Sequence, residues 1–423
     1  MTSPQINAGR LLASLHALGQ IGALPGGGVN RLALSDADRE GRDWTVARMR
    51  ELSMRVDIDA IGNIVGTFPG TEDLPPVMVG SHIDTVRTGG LYDGNYGVLS
   101  GLEVVTALRE AGVQPRRPLA VAVFTNEEGA RFQPDMMGSL VYVGGLPLPD
   151  ALATCDADGV SVQAELQRIG YQGTAPVGAP LVDSYVELHI EQGPVLEQLG
   201  LQIGVVEGVQ GISWTEFTVE GQSNHAGTTP MALRHDAALV AAQVAVFMRA
   251  LSARLGGRQL ATVGAVRLSP NLVNVIAQKA VFTVDLRNTD SAALAQAESD
   301  LHAYAQQAAQ AEGVRITSRT LARFEPVAFD PMVVNLVEQQ TQALGCTYQR
   351  MPSGAGHDAQ MLARVCPSAM VFVPSVGGLS HNVREHTAPA DLQRGAQVLL
   401  QVVLALANRP SQLLPLNFYA PLP

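Results

Sequence analysis

Only three of the 423 residues are cysteine (Cys155, Cys346 and Cys366), and no two of them form a C-x-x-C pair. So sparse and odd a set excludes a disulfide framework and points to a reducing compartment. Basic residues never cluster, and 28 of them against 39 acidic ones leave a net charge of −11. Neutralising a phosphate backbone or an anionic membrane takes a basic patch, so neither nucleic acid nor membrane is expected as a partner. No apolar run attains the roughly 18 residues of a membrane span. The opening MTSPQINAGRLLASLHALGQ lacks the basic start and unbroken apolar stretch of a secretion signal. The expectation is a cytoplasmic globular protein. With 46% apolar and 16% charged residues it has ample material for a core, and its length suggests two domains.

What is present reads as strands and helices of two kinds. Ile6 to Leu15 has helical spacing of apolar residues. From Val56 on come short apolar runs, VDIDAIGNIVGTF, PPVMVGSH and PLAVAVFTNEE, the last two almost free of alternation. Strands buried on both faces read this way, which predicts a mixed or parallel sheet between helices. Gly97 to Glu110 is a helix with small residues toward that sheet, completing a strand–helix–strand unit of an α/β domain. The middle of the chain differs. ISWTEFTVEG (Ile212–Gly221) alternates, Arg234 to Leu255 is helical, Ala261–Leu268 and Val275–Leu286 are strands, Ser291 to Ala311 is an Ala/Gln-rich helix, and Val314–Phe324 is a strand. The order β-α-β-β-α-β is that of a ferredoxin-like α+β unit. Apolar strand character returns in SAMVFVPS, a helix closes near Asp391–Asn408, and the Pro/Leu-rich tail after Arg409 reads as an irregular strap. The reading is a mixed-sheet α/β domain formed by residues 1–210 and 326–423, with an inserted domain at 211–325.

Side chains able to do chemistry gather at the ends of the apolar strands. His82 ends PPVMVGSH, and in open α/β sheets ligands bind at the carboxyl ends of strands. Asp84 follows two residues on, where a carboxylate behind a ligating histidine fixes its tautomer. Asp93 lies in the Gly-flanked turn GGLYDGNYG, a place where a turn former or helix cap would also sit. AVAVFTNEEG ends in Glu127 and Glu128, which repel each other unless something positive holds one; the other is then free to act as a general base. His189 ends another strand in YVELHIEQGPVLE, beside Glu191 and Gln192, and His381 follows a Gly pair in VPSVGGLSHN. Mixed histidine and carboxylate ligands suit Zn, Mn, Co or Ni better than Mg or Ca. In the insert, His225 lies in the small-residue loop GQSNHAGTTPM, Asn274 in a turn between strands, and Arg287 at a strand end in VDLRNTD. Arginine is the preferred two-pronged partner of a carboxylate. Gly354, Gly356 and His357 in MPSGAGHDA offer main-chain donors. His16, His235, His302 and His386 read as structural or surface histidines.

GSHIDTVRTGGLYDGNYG, FTNEEGARF, ELHIEQGPVLE, GQSNHAGTTPM, DLRNTD, SGAGHDA and VGGLSHN together resemble the M20 family of dinuclear metallopeptidases and amidases. Within it they resemble the hydantoinase/carbamoylase branch of N-carbamoyl-L-amino-acid hydrolases, β-ureidopropionases and allantoate amidohydrolases. The short gap from His82 to Asp93, and a histidine at position 189 where peptidase relatives carry an acid, favour that branch. The resemblance implies two divalent metal ions per subunit, held by His82, Asp93, Glu128, His189 and His381, with Asp93 as the bridge. It implies Glu127 as general base, and Gln192, His225, Asn274, Arg287 and Gly356 as substrate contacts. It further implies a homodimer whose inserted domain dimerises and closes over the site, with His225 acting across the interface. The expected reaction is hydrolysis of a linear ureido C–N bond in a small ureido acid.

Overall fold

A computed structural model describes residues 3–410; the tail read after Arg409 as a strap lies, from 411 to 423, outside the described residues. Thirteen strands are described: β1 Arg55–Ile58, β2 Ile64–Phe68, β3 Val77–His82, β4 Leu119–Phe124, β5 Ser184–Ile190, β6 Ile203–Val209, β7 Gly211–Glu220, β8 Leu260–Ser269, β9 Lys279–Asn288, β10 Arg315–Phe324, β11 Val327–Ala328, β12 Tyr348–Ser353 and β13 Ser368–Val373. The chain divides into two compact units, one built from residues up to Glu207 and from Phe329 onward, the other Gly208–Ala328.

The first unit is a mixed α/β structure. Its sheet runs β1-β2-β4-β3-β5-β13-β6, with β12 also on β6. β4, β3, β5 and β13 are mutually parallel, while β2 and β6 run antiparallel to their neighbours β4 and β13. Every residue of β3, β4, β5 and β13 is buried, which is why β3, β4 and β13 read as nearly unbroken apolar runs; β5 (SYVELHI) alternates, because Glu187 and His189 are buried polar residues. The helix Asn95–Ala111 lies close to this sheet through its glycines. A Cβ on Gly97 would sit 2.6 Å from the Leu188 carbonyl oxygen, and one on Gly101 would sit 2.8 Å from Val79 Cγ2. The helix stops at Gly112, which is left-handed (φ 66°) and so releases the chain toward β4. The helix Pro389–Asn408 buries Leu392, Leu399, Val402 and Leu406, and the Tyr96 hydroxyl donates to the Leu392 carbonyl at 2.7 Å.

The second unit is a four-stranded antiparallel sheet in the order β10-β7-β9-β8. Its two helices, Ala237–Leu255 and Ser291–Glu312, pack on one face of that sheet around Phe217, Phe282, Val284, Val244, Met248 and Leu301. Burying side chains of this size contributes roughly 1.5–3 kcal/mol each. That face therefore holds the unit together, leaving the other face free to carry Trp214, Asp285 and Arg287. Two starts in this unit lie three or four residues beyond the sequence expectation. The helix expected from Arg234 begins at Ala237, because the Asp236 carboxylate accepts the Ala238 and Leu239 N–H groups and Arg234 is extended. The strand expected from Val275 begins at Lys279, because Ile276 and Gln278 donate to Asn224 and Ser269 carbonyls instead. Ala237–Leu255 is long and apolar enough, by length and composition, to cross a membrane, although Gln243, Arg249 and Arg254 interrupt its apolar run; here Val240, Val244, Met248 and Leu251 lie in the unit's core.

Candidate metal centre

Because β4, β3, β5 and β13 are parallel, their carboxyl ends share one edge of the sheet, and the chemistry-bearing residues of the first unit emerge there. His82 is the last residue of β3, Glu127 and Glu128 follow β4, His189 lies one residue before the end of β5, and His381 follows β13. Asp93 occupies the turn ahead of the helix Asn95–Ala111. Its neighbour Gly94 has φ 64°, and a Cβ there would lie 2.5 Å from His82 Nε2, so this turn tolerates only glycine.

The two buried histidines are oriented by main chain. His82 Nδ1–H donates to the Asp84 carbonyl at 2.9 Å, and His189 Nδ1–H donates to the Ile190 carbonyl at 2.9 Å. In the neutral imidazole this leaves each Nε2 as the lone-pair atom. His189 Nε2 lies 3.2 Å from Asp93 Oδ1 and accepts the Gly94 N–H at 3.1 Å. His82 Nε2 lies 3.6 Å from Asp93 Oδ1 and 3.3 Å from Glu127 Oε2. Among the described residues it is a buried nitrogen without a hydrogen-bond partner. On the other side, His381 Nε2 lies 3.3 Å from Asp93 Oδ2 and 3.2 Å from Glu128 Oε2. Three sets of potential ligand atoms result among the described residues: His82–Asp93–His189 and Asp93–Glu128–His381, which share Asp93, and Glu187–His189–His357 behind the first of them.

Electrostatics fit a cation. Burial opposes charge on His82, yet the carboxylates of Glu127, Asp93 and Asp84 hold its pKa well above the ordinary value. Burial likewise opposes charge on Asp93, yet the three histidines hold its pKa well below the usual carboxylate range. Glu127 goes the other way: burial first, then the negative charges of Asp358, Glu128 and Asp93, push its pKa well up, in spite of His82. Glu128 is pushed up to about 8, again mainly by burial. Buried acids and imidazoles thus share protons around one spot, with an orphaned His82 nitrogen aimed into it. Nitrogen and oxygen donors in this mixture are those that borderline divalent metals take, so the residues present fit such ions.

The surroundings correct one expectation and add residues. The Asp84 carboxylate does not orient His82: Oδ1 is 3.9 Å from Nδ1, and the main-chain carbonyl of Asp84 takes the hydrogen bond. The carboxylate instead accepts the N–H groups of Glu127 (3.2 Å) and Glu128 (3.3 Å), fixing the turn that aims both glutamates. Gln192, at φ 58°, donates from Nε2 to Asp93 Oδ2 at 2.9 Å. Gly356 lies in the turn after β12, where a Cβ would meet Met136 Cε at 2.9 Å. Next to it His357 is buried, its ring 4.6 Å from that of His189 and its Nε2 2.9 Å from Ser353 Oγ. Burial, helped by the charge of His189, holds its pKa well below the ordinary value. Sequence reasoning missed Glu187, Asp358, Arg31 and Glu385. The fully buried Arg31 donates to the Ile83, Leu18 and Ile21 carbonyls and to Asn95 Oδ1, bracing the segments on either side of Asp93. For Glu187 the signal was an acid two residues before His189 in an otherwise apolar strand; for Glu385 it was the charged stretch NVREHT after His381.

The other three predicted residues belong to the Gly208–Ala328 unit. His225 and Asn274 are brought side by side there: His225 bridges Val275, and the Ala226 N–H donates to the Asn274 carbonyl at 2.9 Å. His225 Nδ1 accepts the Gly227 N–H at 3.0 Å. Arg287 sits on β9, on the face away from the helices, and makes a two-pronged pair with Asp285 (3.1 and 2.9 Å).

Known proteins resemble the chain over most of its length. Residues 78–405 match Peptidase family M20/M25/M40. The chain is 41% identical to the N-carbamoyl-L-amino-acid amidohydrolase of Rhizobium meliloti, covering 96% of this chain and 97% of that one. It is 36% identical to the allantoate amidohydrolase of Escherichia coli K12, covering 93% and 97%. A crystal structure of an amidase of the hydantoinase/carbamoylase family from Burkholderia multivorans superimposes with a TM-score of 0.95 at 42% identity, over 97% of this chain and 100% of that one. With the match spanning most of its length and all three sets of ligand atoms lying inside it, the chain belongs to the M20/M25/M40 peptidase family.

Proposed function

We propose that this chain is a metal-dependent amidohydrolase that cleaves the ureido C–N bond of N-carbamoyl amino acids, giving the amino acid, ammonia and carbon dioxide. The observation that carries the reading is Asp93. Its two oxygens face two separate groups, His82 with His189 and Glu128 with His381, while Glu127 stands against His82 and belongs to neither set. The likeness to the Rhizobium meliloti enzyme supports the substrate class. A second reading, allantoate as the ureido acid, is supported by the likeness to the Escherichia coli enzyme.

In this proposal His82, Asp93 and His189 would hold one divalent ion, and Asp93, Glu128 and His381 would hold another; Zn, Mn, Co or Ni suit the donors. Such a pair, when bound, lowers the pKa of water and polarises a carbonyl oxygen. Glu127 takes a proton from the water that attacks the ureido carbon and passes it to the leaving amino-acid nitrogen as that C–N bond breaks; the carbamic acid so released then falls apart into ammonia and carbon dioxide. Its burial among other acids already raises its affinity for that proton. Asp84, through the two N–H groups it accepts, keeps Glu127 and Glu128 in divergent directions. His225 donates to the developing oxyanion, a contact worth roughly 3–4 kcal/mol. Arg287 exchanges Asp285 for the substrate carboxylate, with Asn274, Gln192 and the main chain of Gly356 completing its cradle.

The proposal extends to a homodimer in which the Gly208–Ala328 unit serves as dimerisation and lid domain and His225 acts in the partner subunit's site. Exposed apolar side chains on the edge strand β8 (Leu260, Val266) and the helix Ala237–Leu255 (Val246) support a covered surface there. Three free cysteines support a cytoplasmic setting. Glu127→Gln tests the base: turnover falls about 10²–10⁴-fold, while elemental analysis finds wild-type metal content. Normal turnover in the metal-loaded variant overturns the assignment.

A further inference from the structure

The segment that links His381 to the helix Pro389–Asn408 carries a buried carboxylate that the reaction does not use. Glu385 is 5% exposed. Its Oε1 accepts the main-chain N–H groups of Tyr92 (3.0 Å) and Asp93 (3.2 Å), and its Oε2 lies 3.1 Å from the Ser380 hydroxyl. Ser380 immediately precedes His381, and its hydroxyl is also 3.1 Å from Asp93 Oδ2 and 3.2 Å from Gln192 Nε2. One carboxylate therefore holds the turn carrying Asp93 with one oxygen and the loop carrying His381 with the other. The space for it is reserved: a Cβ on Gly90 would lie 2.1 Å from Glu385 Oε1 and 2.2 Å from its Cδ. The loop also needs holding. His381 has φ 52°, a region that non-glycine residues enter at a cost, and half of its side chain is exposed. Packing alone therefore does little to fix the imidazole opposite Glu128.

We propose that Glu385 is a positioning residue that sets the affinity of the ion site formed by Asp93, Glu128 and His381, by latching the His381 loop onto the Asp93 turn. The proposal rests on the dinuclear reading above. It makes the two ion sites unequal in their dependence on this residue: His82 and His189 hang from β3 and β5 and are oriented by the neighbouring Asp84 and Ile190 carbonyls, whereas His381 depends on the latch.

The test is a titration of the metal-stripped, full-length chain with Co²⁺ or Mn²⁺ against a chromophoric chelator, with melting of the metal-free protein followed in parallel. Wild type takes up two ions. Glu385→Ala keeps tight uptake of one ion and loses about 10–100-fold in affinity for the other. Glu385→Gln, whose carbonyl still accepts the Tyr92 and Asp93 N–H groups, restores most of the loss. Ser380→Ala, which cuts the arm to the loop together with the hydroxyl's contacts to Asp93 Oδ2 and Gln192 Nε2, weakens the same ion. Folded Glu385→Ala with both ions at wild-type affinity overturns the proposal, as does equal weakening of both. Should Glu385→Ala fail to fold, wild-type affinities for both ions in Ser380→Ala overturn it. Uptake of fewer than two ions by the wild type is a different outcome: it overturns the dinuclear reading itself.

Discussion

Asp59, in the turn between β1 and β2, bears a carboxyl whose environment works against its charge. It is 4% exposed, and burial pushes its pKa up from 3.8 to about 6 even though Ile61 and Asn63 N–H groups and the Asn63 amide donate to it. The sign follows from linkage. With the folded pKa above the unfolded one, the protonated form is favoured by the fold. Its contribution to stability is complete below about pH 4 and is lost as pH rises through 6. A shift of this size corresponds to about 3 kcal/mol at most. Asp59→Asn removes that dependence, so its stability relative to wild type in urea unfolding should improve between pH 4 and 7. A difference between the two proteins that stays flat over this range contradicts the assignment. Residue identity was the most legible level of the sequence around the centre: His82, Asp93, Glu127, Glu128, His189 and His381 are brought to one place. What could not be read was partnership across distant segments. The Asp84 carboxylate serves main-chain groups 43 and 44 positions away, and Glu385 serves Tyr92 and Asp93, 293 and 292 positions away. No local spacing records such contacts.

At the level of elements, apolar runs announced β3, β4 and β13 because those strands are buried throughout, and the glycines of GVLSGLEVV announced a helix pressed against them. The same logic failed where burial is polar. The helix Asp36–Glu51 went unread because its inner face sets Gly41, Thr45 and a buried Arg42–Asp38 pair (2.8 Å) beside Val46 and Met49, which cuts the apolar stripe short. Strand and helix starts in the Gly208–Ala328 unit slipped by three or four residues for a related reason. Capping by Asp236 and pairing of Val275 with His225 decide those starts, and neither is a matter of hydrophobic period. The strand ends that carry ligands were legible all the same, since a polar cluster closing an apolar run is visible without knowing its partners.

At the scale of the whole molecule, the chain interrupts one compact unit with another, Gly208–Ala328, and then resumes it. The proposed homodimer makes a prediction at this scale. If His225 acts across the interface, Glu127→Gln and His225→Ala proteins are each inactive alone. Co-expressed in equal amounts, they regain about a quarter of wild-type sites, because each mixed dimer then has one intact site. If mixed dimers form, as differential tagging would verify, and stay inactive, His225 serves its own subunit. The central claim, hydrolysis of a ureido acid at a dinuclear centre, is tested most directly by ammonia release from metal-stripped protein resupplied with Mn, Co or Zn. The panel comprises N-carbamoyl-L-amino acids, N-carbamoyl-β-alanine and allantoate. The account predicts no turnover without metal and restored turnover of an N-carbamoyl-L-amino acid with it. Turnover confined to allantoate would leave the chemistry standing and exchange the substrate. Silence across the panel with two ions bound would contradict the account.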